Sequence, residues 1–203
     1  MTANDLRKIG EGVFKDELSK LGFAGNGYTY RKTGENVIFI YIIYTSVVGP
    51  KSIFSDIGVV FPEFKELLNM DDSPTNTNKI KISNCPFMKR IGSNQFGAKG
   101  WVFSESMEEN RNIFINLLKL FTDSGVKFIK ALENYPHPFV DFTVNDFIND
   151  TYRLKLGLTT FCIPEIAAKL TIDLLIKENK LQIANDIQRW IDDLKNNYRQ
   201  HHV

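Results

Sequence analysis

His137 stands between two prolines in the run Tyr135-Pro136-His137-Pro138. Proline fixes φ and stiffens a loop, so an imidazole held there could move protons near neutral pH. Acid–base chemistry also needs a second group within hydrogen-bond reach. Tyr135 and Asp141 are the first residues that could join His137, making a hydrolase or transferase site from dispersed residues. No carboxylate or cysteine accompanies the histidine at a recognisable spacing, so an ordinary loop histidine is the simpler reading. Cys85 precedes Pro86, and Cys162 lies in the apolar Phe161-Cys162-Ile163, where burial raises a thiol pKa and quiets it. Neither belongs to a Cys-x-x-Cys pair, and His201 and His202 fall in a tail, so no metal and no cofactor is expected. The carboxylate pairs Asp71-Asp72, Glu108-Glu109 and Asp192-Asp193 sit in a loop or on solvated helix faces. There is no P-loop, nucleophile elbow or zinc-protease motif. The balance leans away from an enzyme.

A second set of residues suggests binding. Gly22, Gly25 and Gly27 resemble a phosphate cradle in spacing, but such a loop needs a strand before it and a helix after it. Here a helix precedes and a strand follows, and a helix C-terminus presents carbonyls, which repel phosphate. Gly22 is instead expected as a left-handed helix cap and Gly25-Asn26-Gly27 as a turn. Tyr28, Tyr30, Arg31 and Lys32 interleave aromatic and basic groups as single-strand nucleic-acid surfaces do. On a strand, Tyr28 and Tyr30 would face the core and Arg31 the other way, and the pair Lys89-Arg90 would extend a patch only if it lay alongside. With 25 basic and 24 acidic residues interspersed, no long-range field favours nucleic acid. Nucleic acid is not the expected partner. Trp101, at the end of the glycine-containing segment from Phe96, is a candidate contact for a protein partner.

These residues must be carried by elements that the hydrophobic periodicity outlines. Asn4 can cap a helix burying Leu6, Ile9, Val13, Phe14, Leu18 and Leu21. Strands are expected over Tyr28–Lys32, over Val37–Thr45 (apolar on both faces, as in a covered central strand) and over Ile53–Phe61, with Thr33–Asn36 as a hairpin turn. Pro62 should open a short helix through Leu68, Asp71–Asn78 reads as a loop, and Lys79–Ser83 and Gln95–Phe103 as further strands. Ser106 and Glu109 form a capping box for a helix burying Ile113, Phe114, Leu117, Leu118 and Phe121. Ser124-Gly125 should interrupt it before a second helix with Phe128, Ile129 and Leu132. A short helix follows around Val144–Ile148, then two amphipathic helices, Pro164–Lys177 and Leu181–Tyr198, packed antiparallel. The second carries Ala184, Ile187, Ile191, Leu194 and Tyr198 on one stripe.

This order predicts an α+β fold with a largely antiparallel sheet, one domain over 1–203. Residues 1–103 supply helix and sheet; 104–203 are mostly helical, including the pair over 164–198. A length of 203 residues with 43% hydrophobic content suffices for a sizeable core. The polar Met1–Gly12 has no signal-peptide core, and the longest apolar run covers about a dozen positions where a membrane helix needs about 20. A cytoplasmic protein with no membrane contact is expected.

Leu21-Gly22-Phe23, Tyr30-Arg31 before Thr33-Gly34, the long apolar strand and Asp56-Ile-Gly-Val-Val60 together resemble a bacterial family catalogued only as a domain of unknown function. The likeness spans Leu6 to Phe64, about a third of the chain. Members usually end the apolar strand with Gln-Lys-Ser; this chain has Tyr44-Thr45-Ser46, which implies that any ligand tied to that motif is lost or changed. The family implies an α+β fold and no assigned activity. Some relatives look like members of toxin-immunity neighbourhoods, which implies a protein-binding accessory or immunity-type module.

Overall fold

In a computed structural model, residues 2–46, 52–62, 80–91, 101–135, 137–156, 161–162 and 164–200 are described. The chain runs α1 (Ala3–Lys20), β1 (Ala24–Asn26), β2 (Thr29–Thr33), β3 (Ile38–Ser46), β4 (Ser52–Val60), β5 (Phe87–Ile91) and β6 (Trp101–Val102). It continues with α2 (Met107–Leu120), α3 (Val126–Glu133), α4 (His137–Val140), α5 (Val144–Ile148), α6 (Thr151–Lys155), β7 (Phe161–Cys162), α7 (Pro164–Lys177) and α8 (Leu181–Gln200). This is an α+β architecture.

Local chemistry sets the element ends. Thr2, not Asn4, caps α1: its hydroxyl accepts from the Asp5 amide at 3.2 Å, and the Asp5 carboxylate accepts from the Thr2 amide at 2.9 Å. At the other end Gly22 takes φ +83°, as its position after the last helical turn requires. Its amide donates to the Ser19 carbonyl and the Phe23 amide to that of Leu18, both at 2.9 Å, closing the helix and turning the chain into the sheet. Gly25 lies in β1 rather than in a turn; only Gly27 and Tyr28 make the tight connection to β2.

The sheet has the order β1-β2-β3-β4-β5-β7, with β6 continuing beyond β5 along β4, and every pairing is antiparallel. The nine-residue strands β3 and β4 pair along their whole length, from Ile38 opposite Val60 to Ser46 opposite Ser52. One face, with Tyr30, Phe39, Tyr41, Ile43, Ile53, Ile57, Val59 and Phe87, joins the main core under the helices. The other holds Ile38, Ile40, Val60 and Cys85 in a smaller cluster. Burial on both sides explains why β3 reads as an unbroken apolar run.

Two sequence expectations change here. The alternating Lys79–Ser83 is no strand where it is described: Ile82–Asn84 forms a 3-10 turn that lays Ile80 and Ile82 over the second face. The strand lies further on, at Phe87–Ile91. Ser124-Gly125 does not break the helix either. Phe121–Gly125 forms one π-helical turn, and the axis continues from α2 into α3. Phe121, the first residue of that turn, packs on Tyr41, with ring centroids 4.4 Å apart, and on Phe23, at 5.9 Å. The helix through Leu68 and the loop 71–78 lie outside the described residues.

A chain of aromatic rings joins the sheet to the C-terminal helices. Phe61 and Phe87 of the sheet layer meet Phe139 of α4, each at 5.7 Å; Phe139 meets Phe142 at 5.6 Å, Phe142 meets Phe147 at 6.0 Å, and Phe147 meets Trp190 of α8 at 5.4 Å. The pair α7–α8 thus shares the main core through α4 and α5. Of the expected α8 stripe, Ala184, Ile187 and Ile191 are buried, whereas Leu194 is exposed; the side chain of Tyr198 is not among those described.

Asp146 fixes the α5–α6 corner. It accepts from the Thr143 amide at 2.9 Å and the Thr151 hydroxyl at 2.8 Å, and pairs with Lys155 at 2.8 Å. Burial alone would raise its pKa, but these bonds outweigh burial and hold it at about 2, below the ordinary 3.8. A depressed folded-state pKa adds stability that is complete above about pH 4 and lost as pH falls toward 2. Thermal melts across that window should therefore show wild type losing stability more steeply than Asp146→Asn; parallel losses would contradict this role.

Candidate functional site

The outer face of the sheet, opposite α1 and α2, is covered at one end by the segment Ile80–Cys85 and carries a cluster of aromatic and charged side chains at the other. Register builds both. At the covered end, Arg31 stands opposite Ile40, Ile40 opposite Gly58 and Gly58 opposite Met88. Glycine is needed at 58 because a Cβ there would lie 2.6 Å from Cys85 Sγ and 2.6 Å from Ile82 Cδ1. Arg31 donates to the Ile80 carbonyl at 3.1 Å and pins the same segment. Burial pushes the Cys85 thiol up to about 12, so it stays protonated and inert.

At the other end, Ile42 faces Asp56, Tyr44 faces Phe54, and Asp56 faces Arg90. The Tyr44 and Phe54 rings stack at 5.5 Å with 19° between planes. The Arg90 guanidinium lies 5.2 Å from the Phe54 centroid and 5.8 Å from that of Tyr44. It grips Asp56 as a fork, Nε to Oδ1 at 2.8 Å and Nη2 to Oδ2 at 3.1 Å. The Tyr44 hydroxyl donates to Asp56 Oδ2 at 2.8 Å and accepts from Arg90. Side-chain exposures of 22% for Arg90 and 11% for Asp56 leave the pair largely buried. Val102 of β6, opposite Ser52 on this face, is 61% exposed.

This arrangement suits recognition rather than proton transfer. Burial, reinforced by Asp56, pushes Tyr44 up to about 12, too high for a general acid near neutral pH. Bonding to Asp56 raises Arg90 further, so it remains a fixed cation. The carboxylate is already engaged on both oxygens.

The residues singled out from the sequence are scattered. Tyr30 is fully buried on the helix side of the sheet, and Tyr28 packs there against Phe114 at 6.4 Å. Arg31 holds the covering segment on the opposite face. Lys89 shares the inner face with Ile57 while Arg90 lies on the outer, and strands β3 and β4 separate both from β2. The structure does not bring the basic pair beside Tyr28 and Tyr30. Trp101 is opposite Ile53 and packs on the main core, so its exposed neighbour Val102 is the surface residue of that strand.

His137 opens α4 and is exposed, with its amide on the Asn134 carbonyl at 2.9 Å. Tyr135 is buried against Phe61 at 4.3 Å, and Asp141 is exposed. Among the described residues no carboxylate is hydrogen-bonded to His137, and no group of three or more His, Cys, Asp or Glu could hold a metal. No helix among them is long and apolar enough to cross a membrane. No family model, curated protein or solved structure matches the chain.

Proposed function

We propose that this protein is a non-catalytic binding module of accessory or immunity type, acting in the cytoplasm by covering a surface of a protein partner. The contact face is the outer sheet around Tyr44, Phe54, Arg90 and Val102. One observation carries this reading: the Arg90 guanidinium is oriented before any partner arrives, stacked on two aromatic rings and forked onto Asp56. Tyrosine and arginine dominate the energetically decisive positions of protein interfaces, and side chains already ordered lose less entropy on binding. The likeness of Leu6–Phe64 to the unassigned bacterial family fits the same reading, and Tyr44 falls in the stretch where this chain departs from it.

The test is purification of the tagged protein at moderate salt from the cells that make it, with bound proteins, nucleic acids and small molecules identified by mass spectrometry. A stoichiometric protein is expected. Recovery of a nucleic acid or a metabolite in its place would contradict the proposal.

A further inference from the structure

Asn26-Gly27 is the one asparagine–glycine pair in the chain. It stands at the end of β1, an edge strand of the sheet, where Ala24, Gly25 and Asn26 are all exposed and, among the described strands, only β2 pairs with them. Asn26 faces Thr29, so Gly27 and Tyr28 form a two-residue hairpin turn with Gly27 at φ +61°. Glycine is the residue that such turns take at a first position of positive φ. Arg7 of α1 covers the turn: a Cβ at Gly27 would lie 2.5 Å from its Nε and 3.1 Å from its Cζ. Backbone angle and packing together therefore demand glycine after Asn26. Among the described residues, none hydrogen-bonds the Asn26 carboxamide.

We infer that Asn26 is a deamidation site and that the opening of β1 controls its reaction. The backbone nitrogen of Gly27 attacks the Asn26 side-chain carbonyl carbon. The new N–Cγ bond closes a succinimide, the Cγ–Nδ2 bond breaks, and ammonia leaves with the Gly27 amide proton. Bulk solvent then adds a water across either imide C–N bond, giving aspartate or isoaspartate. Glycine hinders the attack least, because it has no Cβ. Extended backbone at Asn26 holds the Gly27 nitrogen away from that carbon, so the hairpin must open first. A three-residue exposed edge strand keeps the cost of that opening low. Isoaspartate carries the main chain through an extra methylene, which a two-residue turn packed under Arg7 does not accommodate, so the modified hairpin no longer closes.

The test is timed incubation of the folded full-length protein at mildly alkaline pH, followed by peptide mapping that separates aspartate from isoaspartate. Conversion at Asn26 is expected ahead of every other asparagine, with both products, and more slowly than in the same chain unfolded in urea. The exposed substitution Asn26→Gln should lose the isoaspartate from this peptide. An intact Asn26 while other asparagines convert would overturn the inference. So would aspartate as the sole product, which direct hydrolysis of the side chain gives. Equal rates in the folded and unfolded chain would overturn the control by β1.

Discussion

Phe139→Ala is expected to destabilise the protein by about 3–5 kcal/mol, the range for removing a fully buried phenylalanine. Phe139 is inaccessible to solvent and touches four rings, those of Phe61, Phe87, Tyr135 and Phe142. It sits on α4, a helix of four residues that cannot hold its own shape without tertiary packing. The loss therefore falls at the joint between the sheet and α7–α8 as well as in the core. Since folded proteins are stable by only about 5–15 kcal/mol, the variant should unfold at much lower denaturant concentration. A loss under about 1 kcal/mol in denaturant titrations would show that the aromatic chain does not couple the two halves.

Gly58→Val is expected to cost about 3 kcal/mol, the upper end for forcing atoms into a packed site. Even the first added carbon would overlap Cys85 and Ile82, and Cys85 is held close by burial on all sides. The strand β4 cannot retreat, because it is paired with β3 and β5 on either side. The covering segment must move instead. Alkylation followed by peptide mapping reads this out: Cys85 should resist labelling in native wild type and become labelled in Gly58→Val. Labelling at equal rates in both would contradict the account of this face.

Much of the fold could be read locally. The 3.6-residue spacing in α1, the glycine after it and the double-sided apolar run of β3 each report a nearby cause. What was missed depends on partners far along the chain. In Phe87-Met88-Lys89-Arg90-Ile91, the inner face carries a lysine between Phe87 and Ile91, which hides the alternation of a buried strand. Ile80 and Ile82 do alternate, but that spacing serves equally well for a turn laid on an apolar face. The candidate site was illegible for the same reason. Arg90 and Asp56 stand 34 positions apart and meet only through the β4–β5 register. The signals were present in the arginine of the basic pair and the aspartate beside the strand glycine, yet nothing local joined them. Tyr28, Tyr30 and Trp101 pack on the main core, since aromatics on strands are drawn to the core before they are available to a partner.

The outer face around Tyr44, Phe54 and Arg90 is the proposed contact surface. Val102→Glu tests it most directly, because Val102 is exposed on that face and a surface substitution should change stability by no more than about 0.5 kcal/mol. The measurement is the amount of partner protein recovered with wild type, with Val102→Glu and with the remote exposed variant Leu154→Glu, at matched folded concentration. Val102→Glu is expected to lose the partner while Leu154→Glu retains it. Equal recovery with all three would place the functional surface elsewhere on the molecule.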